Sequence, residues 1–548
     1  MSLFVKYLAI LLLLITPVWP ASAADDAVAA ALASRIGALS ETPRATLRGV
    51  ALQGAALFAD FYARRDMQPA WTRPARVDEL IALLANAGDE GLLPSDYLLD
   101  EIAALRGEIE HSGSPAATAD LDILLTAALT RYGYHLAFGK VDNRELDPNI
   151  NFRREISEGE DPAVTIQQAI DAPSLQAFFA TEIPRGPVYA RLREILVEYR
   201  EIAAAGTWVE VPEGPTLRSG DSGRRVAALR RRLAASDDLP DGASATGDAF
   251  DESLQTGVRI FQERHALDTD GAVGPATLAA INVPIETRIE QLRLSLERLR
   301  WIRSEIGEQF LVVNIAGFRV VLWKDNDFAW RGRAMVGKTY RQTPVFRGDI
   351  RYLEMNPTWT IPPGILRNDT LPAIKRDPNY LADRNISVID RDGRKVHPSM
   401  VDWTMYTRGV PYTLRQEPGP NNALGRIKFI FPNEHFVFLH DTPSRYLFDR
   451  AERAFSSGCI RVENPFELAE LLLDEPDQWN QETLQAVIDG AQTQRVYLDD
   501  PMPVLILYLT ASIEPDGRPR FLKDIYSRDA KLLAALNAPP QLYLPVAG

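Results

Sequence analysis

The sequence is poor in cysteine, with Cys459 the only one among 548 residues. A single thiol cannot form an internal disulfide, which excludes a disulfide framework. No His-Glu-x-x-His segment or similar cluster of metal ligands is present, so we expect neither a metal nor a cofactor. The thiol is then either an inert packing residue or a reactive nucleophile, and its neighbours have to decide between the two.

The chain also has fewer basic than acidic residues. The formal net charge is −14, and no long basic run offsets it. Because binding to nucleic acid needs a positive footprint, we expect no nucleic-acid partner. Local donors can still bind an anionic polymer, so the acidic balance does not exclude one.

Long apolar runs are missing after the N-terminus, and none reaches the roughly 18 residues that indicate a membrane span. The N-terminus has Lys6, the apolar residues 8–15 (LAILLLLI), breakers at 16–20 (TPVWP) and small residues at 21–23 (ASA). This order is typical of a signal peptide, which we place at residues 1–23. The alternative is an uncleaved anchor. After cleavage we expect no stable membrane insertion.

Residues 24–205 show apolar residues at helical spacing, for example at 121–129 (LDILLTAAL). Joints that contain Pro and Gly interrupt the helical segments, and we find no acid–base constellation in them. The segment predicts a mostly α-helical scaffold domain, whose role and partners the residues leave open.

A compact unit follows at residues 216–284. Leu254, Val258 and Phe261 recur at helical spacing, and Pro275 suits the first position of a further helix. Periodicity therefore predicts a three-helix module in which the apolar stripes form the core.

Downstream of this module the pattern changes from helical to alternating. Residues 285–308 predict a charged amphipathic linker helix, whereas residues 309–500 carry β-type runs and predict a mainly β (α+β) domain. Residues 365–425 are polar and irregular, which we interpret as an inserted cap lying where a substrate lid is expected. Residues 501–548 are expected to form a C-terminal extension that packs on this domain.

The surroundings of Cys459 favour a reactive thiol. Small residues precede it, and Gly458 permits unusual backbone angles and the close approach of a ligand. His440 ends an apolar β-run, and the end of a strand is a rigid place to mount a base. A free thiol is mostly protonated at neutral pH, so an imidazole that removes the proton activates it for attack on a carbonyl.

The same chemistry needs two kinds of support. Backbone N–H groups of Gly458 and Cys459 are the natural donors to the oxyanion that forms. The histidine needs an acceptor to hold its tautomer, for which the carbonyl of Ser457 is the first candidate and Asp441 the second. The residues alone therefore indicate cysteine-dependent acyl transfer, and they do not identify the substrate.

A longer motif carries a resemblance to a known family. Residues 440–443 (HDTP) followed by 456–462 (SSGCIRV) resemble the active-site signature of L,D-transpeptidases with the YkuD-type fold. Residues 336–338 (VGK), 342–346 (QTPVF) and 355–362 (MNPTWTIP) extend the resemblance upstream. Together with the scaffold and the module, the order of domains is similar to that of the larger Gram-negative members.

The three-helix unit resembles the peptidoglycan-binding type 1 domain. The matching segments are 220–233 (GDSGRRVAALRRRL), 250–267 (FDESLQTGVRIFQERHAL) and 270–282 (DGAVGPATLAAIN). The resemblance implies a module that holds an enzyme to the wall, although its apolar stripes are also explained by packing alone.

The family resemblance implies roles for individual residues. Cys459 is the expected nucleophile and His440 the general base and acid. Arg461 is expected to orient the substrate, with Trp359 and Asp441 as further substrate contacts. Two departures put details in doubt.

Ser457 stands where many relatives carry His, and Phe438 where larger relatives carry Tyr. His435 is a rival base, but it lacks the Asp-Thr-Pro context that follows His440.

The implied function is a periplasmic L,D-transpeptidase that forms 3→3 cross-links between the stem peptides of peptidoglycan, takes part in wall biogenesis and cell shape, and is acylated by carbapenems. An L,D-carboxypeptidase or cross-link hydrolase with the same residues is one alternative. A wall-binding protein without catalysis is another. A serine penicillin-binding enzyme is disfavoured because no Ser-x-x-Lys motif is present. Protein partners in wall synthesis stay unknown.

Overall fold

The computed structural model describes residues 23–41, 46–154, 161–184, 186–325 and 327–540. All but the last residue of the expected signal peptide, and residues 541–548 of the expected C-terminal extension, lie outside these ranges. Within them, we find no helix with the length and apolar character needed to cross a membrane.

The N-terminal part is helical, as predicted, with one short hairpin (Thr46–Leu47 and Val50–Ala51). Its central helix, Pro115–Phe138, is capped at its N-terminus by Ser114, whose side chain accepts a hydrogen bond from the Ala117 N–H at 3.3 Å. Around it pack the helices Ala23–Ser40, Ala55–Ala63, Pro74–Ala85, Leu99–Ser112, Pro162–Asp171 and Leu175–Phe179, with Asn143–Leu146 and Pro187–Ala205 towards the rest of the chain.

The predicted three-helix module is confirmed. Its helices are Arg224–Ala235, Glu252–Arg264 and Pro275–Ile281. Leu254, Val258 and Phe261 are fully buried in its core, which is the burial that their spacing predicted. Asp251 caps the second helix by accepting the Leu254 N–H at 2.9 Å.

The linker helix Ile285–Arg300 differs from its prediction, because residues 291–300 are all buried. The scaffold helix Pro187–Ala205 covers one side of it, and the C-terminal helix Asp529–Asn537 and strand Ala511–Ile513 cover others. Most of its charged residues are therefore buried instead of facing water, and Glu297, Arg298 and Arg300 are in ion pairs.

Glu297 illustrates this pairing. Its carboxylate accepts the Val141 N–H at 2.7 Å and a hydrogen bond from the Arg300 guanidinium at 2.9 Å, with both charged side chains fully buried. Burial of an ion pair is tolerated when further hydrogen bonds satisfy it. The helix is thus a buried central helix that other elements pack against, and not an exposed connector.

The C-terminal half is built on a nine-stranded sheet, which confirms the mainly β prediction. Strand Arg319–Lys324 pairs with both Gln309–Asn314 and Asp327–Gly337, so the sheet closes on itself. The order of strands is Ala454–Ser456, Asp327–Gly337, Ile460–Val462, Leu439–His440, Ile427–Ile430, Phe346–Met355, Gln494–Leu507, Gln309–Asn314 and Arg319–Lys324. Helix Pro465–Leu473 packs against strand Gln494–Leu507, and helix Gln481–Asp489 packs against helix Pro465–Leu473.

Strand Gln494–Leu507 crosses position 500, the predicted end of the mainly β domain. It pairs with Phe346–Met355 and Gln309–Asn314 in the middle of the sheet, so residues 501–507 are part of that sheet and not of an extension. The hairpin Ala511–Ile513 and Pro519–Phe521 and the helix Asp529–Asn537 follow, and they pack against the central helix.

The inserted cap is more ordered than its composition suggested. It forms a four-stranded sheet in the order Trp359–Thr360, Thr413–Gln416, Ile386–Ile389 and Lys395–Val396. Short helical turns complete it, at Pro363–Ile365, Leu366–Thr370, Leu371–Arg376, Tyr380–Asp383, Pro398–Met400 and Trp403–Met405. A small core that includes Ile374, Leu381, Val388 and Leu414 holds these pieces together, so the expectation of an irregular segment is wrong.

Candidate active site

Two short parallel strands bring the predicted nucleophile and base to neighbouring positions. Leu439 lies opposite Ile460, and His440 lies opposite Arg461. Because side chains alternate along a strand, Leu439 and Ile460 enter the core while His440, Arg461 and Cys459 share the other face. Cys459 and His440 are therefore diagonal neighbours on that face, one at each of the two adjacent strands.

The thiol of Cys459 is partly exposed at the surface of this face. It donates a hydrogen bond to the Phe436 carbonyl oxygen at 3.7 Å. Burial raises the pKa of the Cys459 thiol, whereas the Phe438 N–H and the charges of Lys428 and Arg461 oppose this by favouring the thiolate. Within the residues that the structure describes, no hydrogen bond joins the thiol to the His440 imidazole.

The turn before Cys459 is held tightly. Gly458 has φ +120°, a conformation that favours glycine, and its N–H donates to the Ser456 hydroxyl at 3.1 Å. Its carbonyl accepts a hydrogen bond from the Thr343 hydroxyl at 2.8 Å. The Gly458 N–H is therefore already engaged and is not a free oxyanion donor, contrary to our expectation.

The N–H of Cys459 itself is the remaining candidate for that role. Throughout the described part of the chain, we find no hydrogen-bond acceptor for it. The hydroxyl of Ser456 also donates to the Cys459 carbonyl at 2.5 Å, which fixes the peptide that follows Cys459.

His440 is buried, and its Nδ1 lies 2.5 Å from the carbonyl oxygen of Asp441. This bond requires the proton on Nδ1 and leaves Nε2 as the basic nitrogen. The second candidate for tautomer support thus holds this place through its backbone, and the first candidate, the Ser457 carbonyl, does not. Burial lowers the pKa of His440 to about 3, and the nearby charges of Arg461 and Lys428 act in the same direction.

The carboxylate of Asp441 does not fit the predicted role of a substrate contact. It is buried, accepts the Arg426 N–H at 2.9 Å and lies 3.4 Å from Arg445. Trp359 differs from its prediction as well, because it lies in the cap sheet and packs against the cap core. Packing explains both side chains.

Arg461 keeps the properties expected of a substrate contact. Its side chain is half-buried, and its charge has no carboxylate partner within the described ranges. Its Nε is buried without a hydrogen-bond partner, so an anion at this position would satisfy it.

His435, the rival base, points elsewhere: its ring packs against Phe346 with 4.7 Å between ring centroids.

Two further cations at the site escaped the sequence analysis. Lys428 lies opposite His440 in the neighbouring antiparallel strand. Arg341 donates from one nitrogen to Asp369 of the cap at 2.8 Å and to the Ser457 hydroxyl at 2.9 Å. Lys428 could have been found from the sequence, because it interrupts the apolar run 427–431 (IKFIF). Arg341 had no such signal.

Models of three families match the chain. The "Scaffold domain" model matches residues 56–196, the "Putative peptidoglycan binding domain" model matches 222–281, and the "L,D-transpeptidase catalytic domain" model (YkuD) matches 308–496. All residues of the candidate active site lie inside the third match.

A curated protein of Haemophilus influenzae, named "Putative L,D-transpeptidase", is 36% identical over 249 residues. These residues are 45% of this chain and 50% of that protein, so the chain spans about half the length of the relative it matches.

Two solved structures were also found. One is an L,D-transpeptidase of Xylanimonas cellulosilytica, and the other is a fused Zn-dependent amidase/peptidase/peptidoglycan-binding domain-containing protein of Clostridium acetobutylicum. They are 16% and 13% identical, and each match covers 54% of this chain and 100% of the other. Their TM-scores of 0.18 and 0.14 are too low to support any inference about the fold.

Proposed function

The chain carries an L,D-transpeptidase catalytic domain beside a scaffold and a peptidoglycan-binding domain, and from this premise we propose that it cross-links peptidoglycan through an acyl-enzyme on Cys459. The observation that carries the proposal is the strand register that puts Cys459, His440 and Arg461 on one face of the sheet, with Cys459 partly exposed. If the Cys459 sulfur were enclosed in the apolar core, it could not reach a substrate and the proposal would fail.

In the first half-reaction, the thiolate of Cys459 attacks the carbonyl of the third residue of a stem peptide. The thiol proton passes to Nε2 of His440, since Nδ1 already donates to the Asp441 carbonyl. The oxyanion is stabilised by the free N–H of Cys459. When the C–N bond breaks, His440 returns the proton to the amine of the departing D-Ala, and a thioester remains.

In the second half-reaction, an amine attacks the thioester. The side-chain amine of diaminopimelate in a second stem peptide loses a proton to His440 and forms the new amide, which is a 3→3 cross-link. The thiol of Cys459 is regenerated. Arg461, whose Nε has no hydrogen-bond partner among the residues that the structure describes, binds a carboxylate of one of the stems.

The cap supports transfer over hydrolysis. Asp369 joins it to the active-site loop through Arg341, so part of the cap lies against the turn that carries the nucleophile. A covered site limits the access of water to the thioester. The proposed setting is the periplasm, reached through the N-terminal signal peptide, where the scaffold and the binding module meet the wall.

Incubation of the purified protein with disaccharide-tetrapeptide tests this function. Mass spectrometry of the products is expected to show dimers that lack one D-Ala, and none with Cys459→Ala. Tripeptide monomers without dimers would instead assign the same residues to an L,D-carboxypeptidase. No product with either protein would leave the wall-binding interpretation in place.

A further inference from the structure

A row of polar side chains crosses the sheet on the face that carries the nucleophile. Five residues occupy successive strands in register: Arg495, Glu354, Lys428, His440 and Arg461. Lys428 therefore flanks His440 on one side as Arg461 does on the other. The imidazole lies between two cations.

Among the residues that the structure describes, Lys428 has no counterion. Its cross-strand neighbour Glu354 is already paired with Arg495 at 3.2 Å. In the described portion of the structure, the Lys428 ammonium makes neither an ion pair nor a hydrogen bond, although the side chain is half-buried. A half-buried, unpaired ammonium is unfavourable in the resting protein, so an anion that forms nearby during function would be stabilised by it.

The direction of the side chain identifies that anion. The ammonium of Lys428 lies 4.0 Å from the centre of the Phe438 ring, two residues before its partner His440. Phe438 is the neighbour of Cys459, because its carbonyl accepts the Ile460 N–H at 2.9 Å. The Lys428 side chain thus points away from His440, its cross-strand partner, and towards the strand position beside Cys459. The ring face holds the cation without neutralising it.

We propose that Lys428 is a positioning residue that stabilises the thiolate of Cys459 through its charge, which rests on the proposed role of Cys459 as nucleophile. The S–H bond breaks, the proton leaves through His440 to solvent or to the leaving amine, and the electron pair stays on sulfur beside the ammonium. Because Lys428 and Arg461 also disfavour a charged imidazole, His440 holds the proton only until the leaving amine takes it.

The electrostatics of the site agree with this assignment. Burial raises the pKa of the Cys459 thiol and lowers the pKa of Lys428, and the attraction between the thiolate and the ammonium opposes both shifts. The alternative role for an unpaired cation at this place is to bind a carboxylate of the substrate, and the two roles predict different measurements.

The test is the pH dependence of Cys459 alkylation by iodoacetamide in the full-length protein, followed by mass spectrometry. Removing a cation near the thiolate in Lys428→Met is expected to raise the apparent thiol pKa by about one unit. The labelling rate at pH 7.5 then falls roughly three- to tenfold. Lys428→Arg keeps the charge and is expected to stay within about twofold of the wild type.

A second probe separates charge from shape. Iodoacetate is the anionic counterpart of iodoacetamide, and the ratio of their rates is expected to fall in Lys428→Met but not in Lys428→Arg. Lys324→Met is the matched control. Lys324 is a strand lysine of the same sheet whose charge is paired with Asp474, and its removal should change neither the profile nor the ratio.

An unchanged pH profile in folded Lys428→Met would overturn the proposal, and a raised KM for the stem peptide in that variant would then assign Lys428 to substrate binding. If Lys428→Met melts early, Lys428→Gln takes its place. Alkylation needs no transpeptidation, so failure to form cross-links would refute the proposed function without altering this result.

Discussion

His440 donates its Nδ1–H to the carbonyl oxygen of the next residue, Asp441, at 2.5 Å. The imidazole is therefore oriented by the backbone of its own turn, and the carboxylate of Asp441 accepts the Arg426 N–H instead. Gly425, the residue before Arg426, has φ +66°, and a side chain there would collide with Asp441. The orientation of the imidazole depends on this packing and not on a separate acidic side chain.

The burial of His440 predicts a specific dependence of stability on pH. Its pKa is about 3 in the folded protein, below the usual value near 6.5, so between these limits the unfolded state binds the extra proton. Stability is then lost as pH falls from about 6.5 to 3. Replacing the group in His440→Gln should flatten the fall in melting temperature between pH 7 and pH 4. Parallel curves for the two proteins would contradict this assignment, since the other histidines are present in both.

The conformation of the loop beside Cys459 depends on Gly337. A Cβ at this position would lie 2.1 Å from the Arg341 carbonyl oxygen, so the loop would have to move. Gly337→Ala should destabilise the domain by about 1–3 kcal/mol through overpacking, seen as a lower melting temperature. Gly364→Ala is the control, because its Cβ would meet nothing within 4 Å. Equal effects of the two substitutions would show that the loop adapts.

The contact between Arg341 and Asp369 predicts that the cap controls access to the thiol. The pair is partly exposed, so its loss in Asp369→Asn should release the cap by no more than about 1 kcal/mol. Labelling of Cys459 by a bulky maleimide should then accelerate up to about fivefold, and added salt should act in the same way on the wild type.

Asp392 provides the matched comparison within the cap. Its side chain is exposed and pairs with Arg394, also exposed. Asp392→Asn should leave the maleimide rate unchanged. The same acceleration in both variants would mean that the loss of any acidic residue, and not the release of this contact, is responsible.

The central helix should be sensitive to single charge changes. Removing one partner of a fully buried ion pair typically costs about 3–5 kcal/mol, so Glu297→Gln is expected to lower the melting temperature strongly. Asp516→Asn breaks an exposed pair with Arg518 and should cost less than about 1 kcal/mol. A mild effect of Glu297→Gln, similar to that of Asp516→Asn, would show that the helix is less essential to the fold than its burial indicates.

Much of the site was predictable because its signals are local. Alternation placed His440 at the end of a strand, and the residues beside Cys459 indicated a turn. The apolar stripes of the three-helix module predicted its buried residues for the same reason. Lys428 was visible too, since a lysine in an otherwise apolar strand has to face away from the core.

Other features depend on contacts between distant residues. The charged residues of Ile285–Arg300 are typical of an exposed face, and only packing from both sides buries them. Strand Gln494–Leu507 contains two acidic residues and two prolines, which argue against a central strand. A register shift between Tyr497 and Met502 accommodates the acidic residues and the first proline, and pairing continues beyond them.

The most direct measurement is the intact mass of the protein after incubation with a carbapenem, for the wild type and for Cys459→Ala. A thioester on the only thiol predicts one added carbapenem on the wild type and none on the variant. An adduct of equal yield on Cys459→Ala, or a folded wild type whose mass does not change, would contradict Cys459 as the nucleophile.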